Sequence, residues 1–66
     1  MKLRVNGQVR DLDNGATLSA LLASLQLTGK FVLVELNGCA VDRADFPATE
    51  LGEDDALEIV RMVGGG

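Results

Sequence analysis

The sequence predicts an α+β fold, a mixed sheet of about four to five strands with a single helix packed across it. Three observations carry that prediction. Segments of strand character stand at both ends of the 66-residue chain and in its middle. One leucine stripe has helical spacing, and Asn-Gly dipeptides punctuate the strand segments.

Lys2-Leu3-Arg4-Val5-Asn6 alternates polar and apolar residues, the period of a strand with one buried face. Asn6-Gly7 follows, a dipeptide that takes the positive φ angles of a tight hairpin. Gln8 to Leu12 is the returning strand; Val9 and Leu12 fall out of phase, which predicts a bulge or an early end. Asn14-Gly15 marks a second turn. Thr17 is placed to cap a helix from Leu18 to about Leu27, its hydroxyl accepting from an N–H of the first turn. Ala20 stands where a capping box needs Glu. Leu18, Leu21, Leu22 and Leu25 form a one-sided apolar stripe, and Gly29 is a natural helix stop.

The run Phe31 to Leu36 reads as a central strand with both faces largely covered. Asn37-Gly38 turns the chain into a short segment, Cys39-Ala40-Val41. From Asp42 to Asp55 the chain is polar and irregular, with Phe46-Pro47 and Leu51 as inward anchors. Leu57 to Arg61 closes the sheet as a last strand, and Val63-Gly64-Gly65-Gly66 follows it. The chain thus divides into a domain over 1–62 and a flexible glycine-rich tail over 63–66.

Size and composition exclude several function classes. A chain this short buries only ~60% of its unfolded surface, so its core must be efficient. Hydrophobic residues are 47% of the chain but aromatics only 3%, which leaves Leu and Val to build that core. One cysteine permits no internal disulfide, which fits a reducing, cytoplasmic setting. The first residues lack the charged start and continuous apolar run of a signal peptide, and no apolar stretch is long enough to span a membrane. A net charge of -4 works against nucleic-acid binding and suits basic protein partners. With no His and one Cys, a conventional metal site or nucleophile–base pair is not expected.

Five segments carry a resemblance. They are Leu36-Asn37-Gly38, Val41-Asp42-Arg43, Leu51-Gly52-Glu53-Asp54-Asp55, Leu57 to Arg61, and the closing Val63-Gly64-Gly65-Gly66. Together with the Gly15-Ala16-Thr17-Leu18 helix start, they resemble the ThiS family over nearly the whole chain. These are the sulfur carriers of thiamine thiazole synthesis, small ubiquitin-like β-grasp proteins. The family usually has Pro where this chain has Asp42 and Gly where it has Asp54. Asp tolerates the left-handed conformation better than most residues, so the second turn is expected to survive.

The resemblance implies a carrier that is no enzyme itself and binds no cofactor. A ubiquitin-activating-like adenylyltransferase of the ThiF type spends ATP to adenylate the Gly66 carboxylate. A persulfide donor then supplies sulfur, and the resulting thiocarboxylate is consumed by a thiazole synthase of the ThiG type. Gly64 and Gly65 enter the partner's active site, where residues without Cβ pass a narrow channel. Four residues from Val63 extend ~3.3–3.6 Å each, a reach of roughly 13 Å. Arg61, Met62 and Val63 are the candidate docking residues beside that tail.

Other readings stay open on the sequence. A glycine run at an end also fits simple fraying. Cys39 invites a persulfide role, although free cysteines are more often inert. Glu50, Glu53, Asp54, Asp55 and Glu58 form an acidic cluster that is either a solvated surface or a steering patch for a basic enzyme. Molybdopterin synthase's small subunit and other thiolation carriers share the mechanism, although that subunit is usually longer and often has Pro before the glycines. A ubiquitin-like modifier joined to lysines through Gly66 is a different class, and a passive binding module is another.

Overall fold

The computed structural model describes residues 1–27 and 31–62. Five strands, β1 (Lys2–Val5), β2 (Gln8–Asp11), β3 (Val32–Leu36), β4 (Cys39–Val41) and β5 (Ala56–Arg61), form one sheet in the order β2-β1-β5-β3-β4. β1 runs parallel to β5, and the remaining pairs are antiparallel. One helix, α1 (Leu18–Ser24), and a 3₁₀ segment (Arg43–Ala48) complete the fold. This is the predicted α+β architecture, and it is the β-grasp arrangement that the resemblance implied.

The core lies between α1 and one face of the sheet. Alternation places Leu3 and Val5, Val32 and Val34, and Leu57 and Ile59 on that face, all buried. Leu18, Leu21 and Leu22 of α1 meet them, and Phe46 and Leu51 close the side. Each such side chain contributes ~1.5–3 kcal/mol on burial. No buried residue among those described is polar or charged, so nothing in this core needs an internal partner.

Local chemistry explains the turns. Asn6 and Asn37 sit at φ +51°, each followed by a glycine near φ +85° (Gly7 +83°, Gly38 +86°), the geometry of two-residue hairpins. Their side chains then bond to β5. The Ile59 N–H donates to Asn6 Oδ1 (2.7 Å), and Asn6 Nδ2 donates to the Ile59 carbonyl (3.1 Å). The Ala56 N–H donates to Asn37 Oδ1 (3.0 Å), while Asn37 Nδ2 donates to Asp55 Oδ1 (3.0 Å). At the helix start, the Ala20 N–H donates to Thr17 Oγ1 (3.1 Å), the expected cap.

Several expectations are corrected. Helix α1 ends at Ser24, short of Leu27. Gln26 turns the chain at φ +59°, and the Leu27 N–H reaches back to the Leu22 carbonyl (2.8 Å) while the Gln26 N–H reaches Ala23 (3.0 Å). That pair of bonds is a Schellman stop with glutamine in the position that usually holds glycine. Gly29, the expected stop, lies outside the described residues.

Strand β5 is the middle of the sheet and not its closing edge, because its parallel pairing with β1 places it between β1 and β3. β3 is covered on one face only, since a single helix can cover only one side. β2 pairs with β1 without a bulge and ends at Asp11, the early end expected as the alternative; as an edge strand it buries none of its residues. Phe46 and Leu51 are inward anchors as expected, but Pro47 is exposed. Asp54 adopts φ +67°, so the turn usually made by glycine is kept.

Candidate functional site

The site is built from the last strand upward. β5 is fixed on both sides, by β1 in parallel and by β3 in antiparallel register, and ends at Arg61. The Met62 N–H donates to the Phe31 carbonyl (2.7 Å), which carries the ladder one residue further. The backbone that leads to residue 63 is thereby anchored in the rigid middle of the sheet. Val63, Gly64, Gly65 and Gly66, the tail singled out from the sequence, lie outside the described residues.

Arg61 and Met62 are both exposed, but strand alternation sends them to opposite faces. Arg61 shares a parity with Leu57 and Ile59 and pairs with Val32, so it lies on the helix side beyond the core. Met62 shares a parity with Glu58 and Val60 on the open side. The two therefore do not form one contiguous docking patch.

What the structure brings together instead is an apolar strip on the open face. Leu33 on β3 stands directly opposite Val60 on β5, and Phe31 joins Met62 at the tail end of the same face. All four are about half exposed: Phe31 51%, Leu33 56%, Val60 55% and Met62 49%. A shallow groove of about 750 Å³ crosses this face, lined by Leu33, Val60, Glu35, Glu58, Ala40 and Arg43 among others. Contiguous exposed apolar surface on a small protein marks an interaction site more often than scattered single residues do.

Sequence reading missed Leu33 and Val60. The unbroken run Phe31 to Leu36 reads as largely covered on both faces, yet a single helix among the described residues leaves one sheet face without a cover. That shortage of covering elements was the signal available.

The acidic cluster comes apart on inspection. Asp55 Oδ2 accepts from the Gly52 N–H (2.7 Å) and Oδ1 from Asn37, so this carboxylate ties a loop to a hairpin. Glu53 Oε1 accepts from the Lys2 N–H (3.1 Å), and Glu50 pairs with Thr17 in an isolated bridge. Asp54 serves its turn through its backbone. Only Glu58 of that group stands on the open face. Cys39 is exposed and free at the start of β4. Among the described residues, no group of His, Cys, Asp and Glu is placed to hold a metal ion, and no helix is long and apolar enough to cross a membrane.

Comparison with known proteins covers the whole of this geometry. The family model described as "ThiS family" matches residues 3–66. The sulfur carrier protein ThiS of Bacillus subtilis is 40% identical over 65 residues, 97% of this chain and 98% of that protein. The crystal structure of a thiamine biosynthesis protein (ThiS) from Geobacter metallireducens superposes with a TM-score of 0.82 at 36% identity, covering 100% of both chains. A thiazole synthase of Magnetococcus marinus is 39% identical over 66 residues, all of this chain, which spans only 20% of that longer protein. A match to the family model over nearly the whole chain, with a curated relative matched end to end, fixes the family: the chain belongs to the ThiS family.

Proposed function

We propose that this chain is a sulfur carrier for the thiazole of thiamine, with the carboxylate of Gly66 as the group that is charged. The observation that carries this reading is the end-to-end match to a curated sulfur carrier, on a fold whose central strand ends at Arg61, shortly before the glycines in the sequence. The chain supplies no catalytic group of its own; it is the substrate of an adenylating enzyme.

A carboxylate is a poor electrophile. Attack of a Gly66 carboxylate oxygen on the α-phosphorus of ATP releases pyrophosphate and leaves an acyl-adenylate. The terminal sulfur of a protein persulfide then attacks the acyl carbon, and AMP departs with the bonding pair. A thiol cleaves the acyl disulfide so formed, which leaves the thiocarboxylate on Gly66 and a disulfide on the donor side. The thiocarboxylate sulfur is the nucleophile that a thiazole synthase consumes. ATP is thus used by the activating enzyme and needs no site on the carrier.

The fold's contribution is reach and identity. Ordering a glycine segment costs ~1–2 kcal/mol per residue, which keeps each complex readily reversible. The exposed strip of Phe31, Leu33, Val60 and Met62 gives the folded body a docking face. Thiazole synthase relatives that contain a segment similar to this whole chain support a thiazole synthase as one partner.

Intact-mass spectrometry of the protein purified from its host tests the proposal. Replacement of one oxygen by sulfur, lost on deletion of Gly66 or on Gly66→Ala with the fold unchanged, is the expected result. Normal adenylation of the Gly66 deletion, or Gly66 found in isopeptide linkage to lysines, overturns it.

A further inference from the structure

Glu35 and Glu58 stand directly opposite each other across the β3–β5 ladder. Residues so paired have Cβ atoms about 4.5–5.5 Å apart, and like charges in this position oppose the pairing. No ion pair among the described residues relieves them. Among the described residues the ion pairs are those of the Met1 amino group and Lys2 with Asp11, at the far edge of the sheet. Arg43 borders the same groove but makes no ion pair with either carboxylate. The next pair along the ladder towards the tail is Leu33 with Val60, the centre of the exposed apolar strip. Two carboxylates without an ion-pair partner among the described residues therefore flank an apolar surface in one groove, held on the adjacent strands β3 and β5.

We propose that the Glu35–Glu58 pair is the receptor for a single cationic side chain, an arginine, on the partner protein that docks against this face; the inference rests on the sulfur-carrier reading. A guanidinium carries parallel N–H groups in a planar fork and binds carboxylates in defined geometry, which suits two carboxylates presented side by side. The occupant is thus a partner segment with an apolar side chain for Leu33 and Val60 and an arginine one strand spacing away. A second copy of this chain is the wrong chemistry, because docking two such faces brings four carboxylates together on molecules of net charge -4. The pair opposes folding and favours docking, so its two effects have opposite signs.

That sign difference is the test. The host organism's thiazole synthase, purified alone, is titrated calorimetrically with the intact carrier and with the Glu35→Gln/Glu58→Gln double variant, at low and at high salt. The expected result is a dissociation constant raised by about tenfold or more at low salt, with most of the difference gone at high salt. The thermal midpoint of the variant alone rises. Glu35→Lys, which places opposite charges across the ladder, raises that midpoint further and weakens docking more. Unchanged affinity in the variants, absence of measurable association with the intact carrier, or a wild-type dimer that the double substitution dissolves each overturns the inference. Sulfur loading of Gly66, read by mass in the same preparations, separates the two claims. An intact carrier that gains sulfur while the variants bind the synthase normally removes the arginine receptor and leaves the carrier function standing. An intact carrier that never gains sulfur removes the function itself.

Discussion

Asn6 adopts φ +51° in the first hairpin, and its carboxamide exchanges hydrogen bonds with the Ile59 N–H and carbonyl. Alanine at this position meets a left-handed backbone and leaves two partly buried groups of β5 without partners. Asn6→Ala is therefore expected to destabilise by about 1–3 kcal/mol, read from the urea midpoint. Asn6→Asp keeps the acceptor for Ile59 N–H and loses the donor, and falls between the two. Asp42 presents the opposite case. Its φ of -67° and ψ of 142° are those of proline, and Val41 before it is in extended strand. Asp42→Pro should stabilise by about 0.4–1 kcal/mol through the unfolded state, seen as a higher calorimetric midpoint. A lower midpoint would show that the Asp42 N–H or side chain has a role in the fold. Residue-level reading of the sequence succeeded where a side chain acts within a few positions, as with Thr17 on Ala20 and the Asn-Gly turns. It failed for Asp55, whose partner Asn37 lies 18 positions away and whose carboxylate was assigned to a surface cluster. Such bonds follow from the fold and have no local pattern.

Helix α1 shows how packing overrides a local stop signal. The stripe and the cap were legible, because leucines at helical spacing and a preceding threonine are sufficient signs. The end was not, since Gly29 looked like the stop and Gln26 carries no such mark. Leu25 and Leu27 both pack against the core, and drawing both inward bends the backbone at the residue between them. Gln26→Gly should accordingly stabilise by about 1 kcal/mol, because glycine takes the left-handed conformation without Cβ strain. A chemical denaturation midpoint that falls on this change would show that the glutamine side chain matters. Leu22, at 3% exposure, lies in the middle of the stripe and supplies the carbonyl that closes the stop. Leu22→Ala is expected to cost about 2–5 kcal/mol, a large part of a typical domain stability of ~5–15 kcal/mol, with a thermal midpoint to match.

The molecule as a whole is a one-sided sandwich, with a helix on one face of the sheet and a bare face available to partners. The number and type of strands were readable from the sequence, but their order was not. Parallel pairing of β1 with β5 depends on contacts more than fifty positions apart, at Arg4 with Ala56 and Val5 with Leu57. The open face follows from that order, so Leu33 and Val60 went unrecognised while Arg61 and Met62 were grouped by adjacency alone. Leu33→Asp adds a charge to the bare face without touching the core. Beside Glu35 and Glu58 the new carboxylate should destabilise by about 1 kcal/mol, read from the thermal midpoint, and abolish capture of a thiazole synthase in a pull-down. Cys39→Ala should leave sulfur loading intact, since this free, exposed thiol stands on edge strand β4, separated from β5 by β3. The middle position of β5 bears also on how the protein is made. On a ribosome, β1 must wait beside an unfilled slot until residues 56–61 have left the exit tunnel, because no earlier segment takes that place. The strand that precedes residues 63–66 is thus the last of the five to take its place in the sheet. Completion of the sheet therefore waits on the last strand to be synthesised.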